Sequence, residues 1–425
     1  MVLLVTLADK HQACPYCGFT APKIKEYVTK EITHSALTTQ KCIIKYRARR
    51  YKCPCCGKTY YEFNPFVFKS QKISILTVHN ILKDLKDFNE TFTSVARRYH
   101  VSPTSVSTIF DKHVDIGRNP LPEIINFDEV YAFKSEKSKY VCVLLDFKKQ
   151  IPVDVLPNRK KEYLLNYFQK IPLEERKKVK YACSDMYEVY RDVVHKVFPS
   201  CCMLLDYFHL SQDFHRKMNE VRIKVMKGYK DNKASDEYYL LKKFNWLLFK
   251  NPEDEDKYGR LFDVERERKY NSHFKSYMNY YDLRKKLLEI NNDLTICYSL
   301  KLELVDFYSK STIDNAKVNL ENLIRSCIDT NIDEMIAFSN NLINWKQEII
   351  NSFTIVGTEY KVEADKGQVV VCNKKVNNAI IENRNKIIKC IKNNANGYTN
   401  WSRFRNRVMY VLDPNATFSL EPREK

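Results

Sequence analysis

Two short segments carry paired cysteines: Cys14-Pro15-Tyr16-Cys17-Gly18 and Cys53-Pro54-Cys55-Cys56-Gly57. Two residues between thiols let both sulfurs reach one tetrahedral ion, and the proline and glycine shape a tight turn whose amides face the thiolates. The duplicated spacing predicts one structural Zn²⁺ on Cys14, Cys17, Cys53 and Cys56. Cys55 could compete for the last position, but the repeated Cys-Pro-x-Cys-Gly pattern favours Cys56. A redox pair is disfavoured, because the motif is duplicated and no thioredoxin-like βαβ pattern surrounds it. Between the knuckles, Lys41, Lys45, Arg47, Arg49, Arg50 and Lys52 interleave with Tyr46 and Tyr51. That stretch reads as a β-hairpin with a basic face, suited to DNA phosphates.

A second constellation is acidic. Asp128 ends the apolar run Ile124-Ile125-Asn126-Phe127, Asp185 follows Tyr181-Ala182-Cys183-Ser184, and Asp206 opens Asp206-Tyr207-Phe208-His209. Carboxylates at the ends of adjacent buried strands converge on one point, which suits oxygen-seeking Mg²⁺ or Mn²⁺ in two-metal phosphoryl transfer. Singly, each could be a helix N-cap or a turn residue, Asp185 above all. Further on, Glu382, Asn385, Lys386 and Lys389 fall at i, i+3, i+4 and i+7, one helical face. One carboxylate and two lysines on that face would suit a metal beside scissile phosphates; a solvated amphipathic helix is the plain alternative. Glu359 and Glu363 are rival acids without such a face.

Residues 93–113 have the spacing of a helix-turn-helix. Val95, Ala96 and Val101 precede Ser102-Pro103, which opens a helix whose Val106, Ile109 and Phe110 face inward. Thr104, Ser105, Ser107 and Thr108 would then meet base edges, with Arg97 and Arg98 near phosphates. An ordinary helical hairpin has the same apolar spacing; the basic zinc module beside it favours DNA.

These residues need a scaffold. Residues 121–212 read as three strands, a helix around 162–170, a strand at 179–183, a helix at 187–197 and a strand at 202–205, an α/β arrangement. Eleven of the 14 prolines occur by Pro199, and only Pro252 lies between Pro199 and Pro414. The following region can therefore hold long helices, and Leu320, Leu323, Ile324 and Cys327 mark one helical face. Trp246 and Trp345 there read as core packing rather than as platforms for a flipped base.

Of the 425 residues, 44% are hydrophobic and 13% aromatic, which excludes a disordered chain. No apolar run is long enough for a membrane span. The first seven residues lack the basic flank and cleavage site of a signal peptide, so a cytoplasmic, nucleoid-associated protein is expected. Without a secretory signal, the 14 cysteines argue against a disulfide framework. The net charge is +19, and residues 1–120 hold 19 basic against 9 acidic residues, an excess that points to a polyanion.

Taken together, the paired knuckles, the helix-turn-helix, Phe127-Asp128-Glu129, Ser184-Asp185-Met186-Tyr187, Asp206-Tyr207-Phe208-His209 and the segment from Asn377 through Lys389 to Gly397-Tyr398 and Arg403-Phe404-Arg405-Asn406-Arg407 carry a resemblance. The chain resembles the DDE transposases of the ISL3 insertion-sequence family over nearly its whole length. The resemblance implies a multidomain α+β protein: a zinc ribbon-like module (1–66), a helix-turn-helix (70–116), and an RNase H-like core in two parts (121–212 and 371–412) around an all-helical insertion (213–370). It implies Asp128, Asp185 and Glu382 as the metal-binding triad, with Asp206 and His209 matching the family's DxxH element. The implied activity is metal-dependent cleavage and strand transfer at terminal inverted repeats of double-stranded DNA, by a dimer that joins two ends. Strand order fits Asp185 to the second catalytic position, while Asp206 could share the metal site. Relatives tend to have a basic run before the Gly-Tyr; here Lys392-Asn393-Asn394-Ala395-Asn396 stands instead. The competing readings are a DNA-binding regulator with a degenerate core and a structure-specific nuclease.

Overall fold

The computed structural model describes residues 1–8, 13–35, 40–69, 71–133, 138–362 and 369–423. It opens with strands β1 (Val2–Val5), β2 (Lys23–Thr33), β3 (Ile43–Lys52) and β4 (Thr59–Tyr61). β3 is central: β2 runs antiparallel along it from Lys23↔Lys52 to Thr33↔Ile43, a long basic ribbon as expected. β1 pairs parallel with its first half and β4 antiparallel with its last residues. Ile44, Tyr46 and Ala48 bury against Ile32, but beyond Ala48 the buried positions become Arg49, Tyr51 and Cys53. One strand thus serves two small cores, one apolar and one built on the cysteine knuckles.

Three helices follow, α1 (Ile75–Asp84), α2 (Phe92–Arg98) and α3 (Pro103–His113). Each opens on a hydroxyl cap: Ser74, Thr91 in a capping box with Ser94, and Ser102 followed by Pro103 at the first helical position. Such caps satisfy amides that the helix leaves unpaired and are worth about 1 kcal/mol each. Val78, Ile81, Val95, Val106, Ile109 and Phe110 form their shared core. A distant segment fastens α3: the Ser419 amide donates to the His113 carbonyl at 3.0 Å, and the Arg423 amide to Lys112 at 3.0 Å.

The α/β region consists of β5 (Ile124–Val130), β6 (Val141–Asp146), β7 (Pro152–Leu156), α4 (Lys161–Gln169), α5 (Leu173–Arg176), β8 (Tyr181–Ser184), α6 (Glu188–Val197) and β9 (Cys202–Leu205). The strand order is β7-β6-β5-β8-β9. β6 and β7 are antiparallel, whereas β5, β8 and β9 run parallel. Their near-continuous burial is that of a sheet covered on both faces.

Helices then dominate: α7 (Tyr207–Lys227), α8 (Asp236–Lys243), a 3-10 turn (Asn245–Phe249), and, after short hairpins, α9 (Tyr280–Glu289), α10 (Asn292–Lys310), α11 (Ala316–Asp329), α12 (Asp333–Asn344) and α13 (Lys346–Asn351). The expected all-helical insertion is corrected here. It contains the hairpins β10 (Glu255–Asp256) with β11 (Gly259–Arg260) and β12 (Lys269–Asn271) with β13 (Ser276–Met278). It also contains β14 (Ile355–Val362), whose ribbon partner β15 (Val369–Lys375) crosses the expected boundary at 370. Ile355-Val356 and Val369-Val370-Val371 are β-branched, and such side chains fit a pleated surface better than a helix. Scarcity of proline permits helices without requiring them. Last come α14 (Ala379–Asn394) and α15 (Trp401–Leu412).

By compactness the chain divides into Met1–Pro122 with Asp128–Leu164 and Ile380–Lys425, and Glu123–Phe127 with Leu165–Ala379. In the first unit, Val141, Val143, Leu145 and Val155 pack with Ile381, Ile388, Phe404 and Val408. In the second, one core extends from Leu205 and Phe214 through Leu287 and Leu320 to Phe353. Trp345 is buried in that core and Trp246 packs edge-on to Tyr280 at 5.1 Å, consistent with packing roles.

Candidate active site and metal centre

The two knuckles are built alike. Gly18 and Gly57 both adopt left-handed φ, +74° and +70°, a region favouring glycine. Their amides donate to the carbonyls of Cys14 and Cys53 at 2.8 and 2.9 Å. The four sulfurs of Cys14, Cys17, Cys53 and Cys56 lie within 4.8 Å of one another, with Cys14–Cys56 at 3.8 Å and Cys17–Cys53 at 3.5 Å. A tetrahedron with Zn–S near 2.3 Å has edges of about 3.8 Å, so the donor set fits zinc. The Cys56 amide holds the Cys53 thiol down to about 7, favouring the thiolate a metal needs. Cys55 is exposed and stands outside the cluster.

The acidic residues occupy the carboxyl ends of the parallel strands. β5 and β8 pair through Asn126↔Cys183, and two residues further along each come Asp128 and Asp185. β8 and β9 end on Ser184↔Leu205, immediately before Asp185 and Asp206. Asp128 is largely buried, and Asn385 Nδ2 donates to its Oδ2 at 2.8 Å. Strand alternation turns the neighbouring Glu129 the other way, where it pairs with Arg159. Asp206 sits at the N-cap position of α7, with His209 Nε2 3.8 Å from its Oδ2.

α14 carries Glu382, Asn385, Lys386 and Lys389 in the face that their spacing predicts. Asn385 is buried, Glu382 half-buried, and both lysines are exposed. Of the rival acids, Glu359 lies in β14 and Glu363 falls outside the described residues.

Sequence reasoning missed the polar pair that seats the start of α14. Asn126 and Asn378 are fully buried, and Asn126 Nδ2 donates to Asn378 Oδ1 at 2.7 Å and to the Asn377 carbonyl at 2.8 Å. The Asn378 amide in turn approaches Asp206 Oδ1 at 3.4 Å. The available signal was an asparagine inside an apolar strand, because a buried amide needs partners.

The basic side chains divide by surroundings. Arg47, over Tyr27 at 4.1 Å, and Arg97 are exposed, and Arg50 is half-buried beside Glu26 at 2.7 Å. Arg49 is only 7% exposed and is held by Glu62 at 2.9 Å, with Tyr46 donating to the same carboxylate at 2.6 Å. Arg98 pairs with Asp84 and Glu90. Arg49 and Arg98 therefore brace their own modules. On α3, Thr104 and Thr108 are exposed and Ser105 and Ser107 half-buried, so the first two have the freer approach to a groove.

No helix among the described residues is long and apolar enough to cross a membrane. Comparison with known proteins adds two findings. A family model described as a transposase, of the ISL3-type DDE class, matches residues 125–364. That span contains Asp128, Asp185, Asp206 and His209 and stops before Glu382. The chain is also similar to the transposase for insertion sequence element IS1001 of Bordetella parapertussis, 19% identical over 409 residues, covering 96% of this chain and 90% of that protein.

Proposed function

Because the chain belongs to the ISL3 family of DDE transposases, whose model spans more than half of it, we propose that it cuts and joins DNA at the terminal inverted repeats of an insertion sequence. Asp128, Asp185 and Glu382 are the acids we assign to the reaction, with Asp206 and His209 in support. The observation that carries this reading is the Asn385–Asp128 hydrogen bond. It ties the helix bearing Glu382 to the strand bearing Asp128, and the reading is supported further by Asp185 and Asp206 following the paired strands β8 and β9.

As residue types, three carboxylates would supply an all-oxygen donor set of the kind that Mg²⁺ or Mn²⁺ prefers. A divalent pair there supplies charge stabilisation for in-line attack on a phosphodiester. Asn385 holds one Asp128 oxygen and the Glu129 amide donates to the other at 2.7 Å, so the carboxylate is fixed in orientation from both sides. Lys386 and Lys389, exposed on the same helix, are placed to neutralise phosphates flanking the cut. Water attack leaves a 3′-hydroxyl, which then attacks the target phosphodiester, so no protein–DNA covalent bond is required. The strand order β7-β6-β5-β8-β9 supports reading this region as an RNase H-like core. The layout proposed around it is a zinc module over 1–66, a helix-turn-helix over 70–116, core segments at 121–212 and 371–412, and an insertion at 213–370.

Recognition of the ends falls to the amino-terminal modules: Arg47, Arg50 and Arg97 for phosphates, and Thr104 and Thr108, with Ser105 and Ser107 behind them, for bases. Two ends must be joined, so the working species is a dimer on DNA.

Purified protein is incubated with Mg²⁺ and a plasmid bearing the DNA that flanks its gene, beside Asp128→Ala. Cuts mapping to inverted repeats, lost in the variant while binding persists, are expected. Binding without cleavage in either Mg²⁺ or Mn²⁺ would sink the catalytic reading and leave a DNA-binding regulator.

A further inference from the structure

Lys375, the last residue of β15, is half-buried, and its surroundings are aromatic rather than acidic. Its Nζ lies 4.8 Å from the Tyr308 ring centre and 4.5 Å from that of Phe353. Tyr308 stacks on Tyr207 with centroids 3.7 Å apart and planes at 19°. Tyr207 directly follows Asp206; burial above all, and the Asp206 charge after it, raise the Tyr308 phenol. Three residues beyond Lys375, the amide of Asn378 approaches Asp206. A short run of chain thus places a cation, held on two ring faces, beside the end of β9.

Among the described residues, the Lys375 ammonium has no ion pair and no hydrogen bond; the two ring faces are what it meets, while its backbone pairs with Ile355 in the ribbon. Burial lowers its pKa, the mark of an ammonium losing water without gaining an anion. Ring faces return only part of that lost hydration. For packing alone, an uncharged chain of the same length would be better, since it carries no desolvation cost. A charge retained under these conditions is suited to an anion that arrives from outside, and the molecule's reading as a DNA-cutting enzyme names one.

We propose that Lys375 is a DNA-phosphate contact: it binds a backbone phosphate of the strand lying across the Asp206 end of the sheet, with Tyr308 and Phe353 fixing its direction. This rests on the transposase reading above and adds to it a positioning residue supplied by the segment preceding α14. A phosphate oxygen replaces the water lost on burial, so the contact forms without displacing any protein partner. The lysine contributes binding and placement of the DNA; it takes no part in bond making.

The test uses the full chain and a labelled duplex carrying the DNA that flanks its gene, with affinity measured against salt and no Mg²⁺ or Mn²⁺ added. Removing one phosphate contact makes the slope of log affinity against log salt shallower by about 0.9. Lys375→Met, which preserves the apolar stem over the rings, is expected to show that change with an affinity loss of about tenfold at low salt. Lys375→Arg is expected to restore the slope. Should the Met variant unfold, Lys375→Gln serves, with its thermal midpoint as a check on folding. Wild type that binds with salt dependence beside a Met or Gln variant of identical slope would overturn the inference alone. An affinity loss with unchanged slope that Arg fails to rescue would also overturn it, as a purely structural role. Wild type that does not bind the duplex at all would overturn both this inference and the transposase reading.

Discussion

Asn385 gives Asp128 something a lysine or arginine would not: a neutral donor. A cation there would compete with a metal for the carboxylate, whereas an amide holds one oxygen at 2.8 Å and leaves the negative charge in place. Asn385→Leu should therefore lower Mg²⁺-dependent cleavage by about 10- to 100-fold, the usual cost of losing a partner that orients a metal ligand. End binding, measured by gel shift without Mg²⁺, should be unchanged; loss of both together would mean that the residue only supports the fold. At this scale the sequence was legible where chemistry dictates spacing, as in the four cysteines, and where a helix face repeats, as in Glu382, Asn385, Lys386 and Lys389. It was illegible where a partner is distant in sequence. Nothing local distinguishes Arg47, which faces solvent, from Arg49, which pairs with Glu62 across the sheet. Asn126 likewise acquires its meaning only from Asn378, 252 residues later.

Among the elements, the amino-terminal sheet carries the four-cysteine cluster proposed to hold zinc. Its knuckle core contains Cys14, Tyr51, Cys53 and Tyr60, far too few side chains to hold a sheet together unaided. Cys53→Ser, or prolonged chelation, should release one zinc per chain by metal analysis. It should also melt β3 and β4 in hydrogen exchange and weaken DNA binding as the basic ribbon loses its geometry. Full ribbon protection in the metal-free protein would contradict this account. The sheet strands were readable because continuous apolar runs bounded by turns have few other uses, and Ser102-Pro103 marked where α3 begins. β14 and β15 were hidden for the opposite reason, since their β-branched residues lie within a long low-proline stretch where composition favours helices.

Across the whole molecule, the sequence disclosed the order of elements but not which distant segments would meet. The helix-turn-helix illustrates the gap. Its internal spacing was plain, yet α3 is also secured by residues around Ser419 and Arg423, which no local pattern announces. His113 is part of that strap: it is buried, and its Nδ1 donates to the Ser419 carbonyl at 2.7 Å. Burial, aided by Lys112 and Arg423 nearby, holds its pKa below the ordinary 6.5. The folded state therefore binds fewer protons than the unfolded one in this range, so stability rises with pH. The contribution is complete above about pH 6.5 and is lost as pH falls through that value toward the depressed folded pKa. His113→Gln should flatten the dependence of the denaturation midpoint between about pH 7.5 and 5.5. An unchanged slope would assign the effect to other groups.

The strap also has a consequence in time. His113 and its acceptor are separated by 306 residues, and a ribosome adds roughly 5–20 residues per second. For a span on the order of 15–60 s, α3 of each nascent chain stands with its last turn unfastened. A chain abandoned before Ser419 would therefore present α3, the helix proposed above to read DNA, without its fastening.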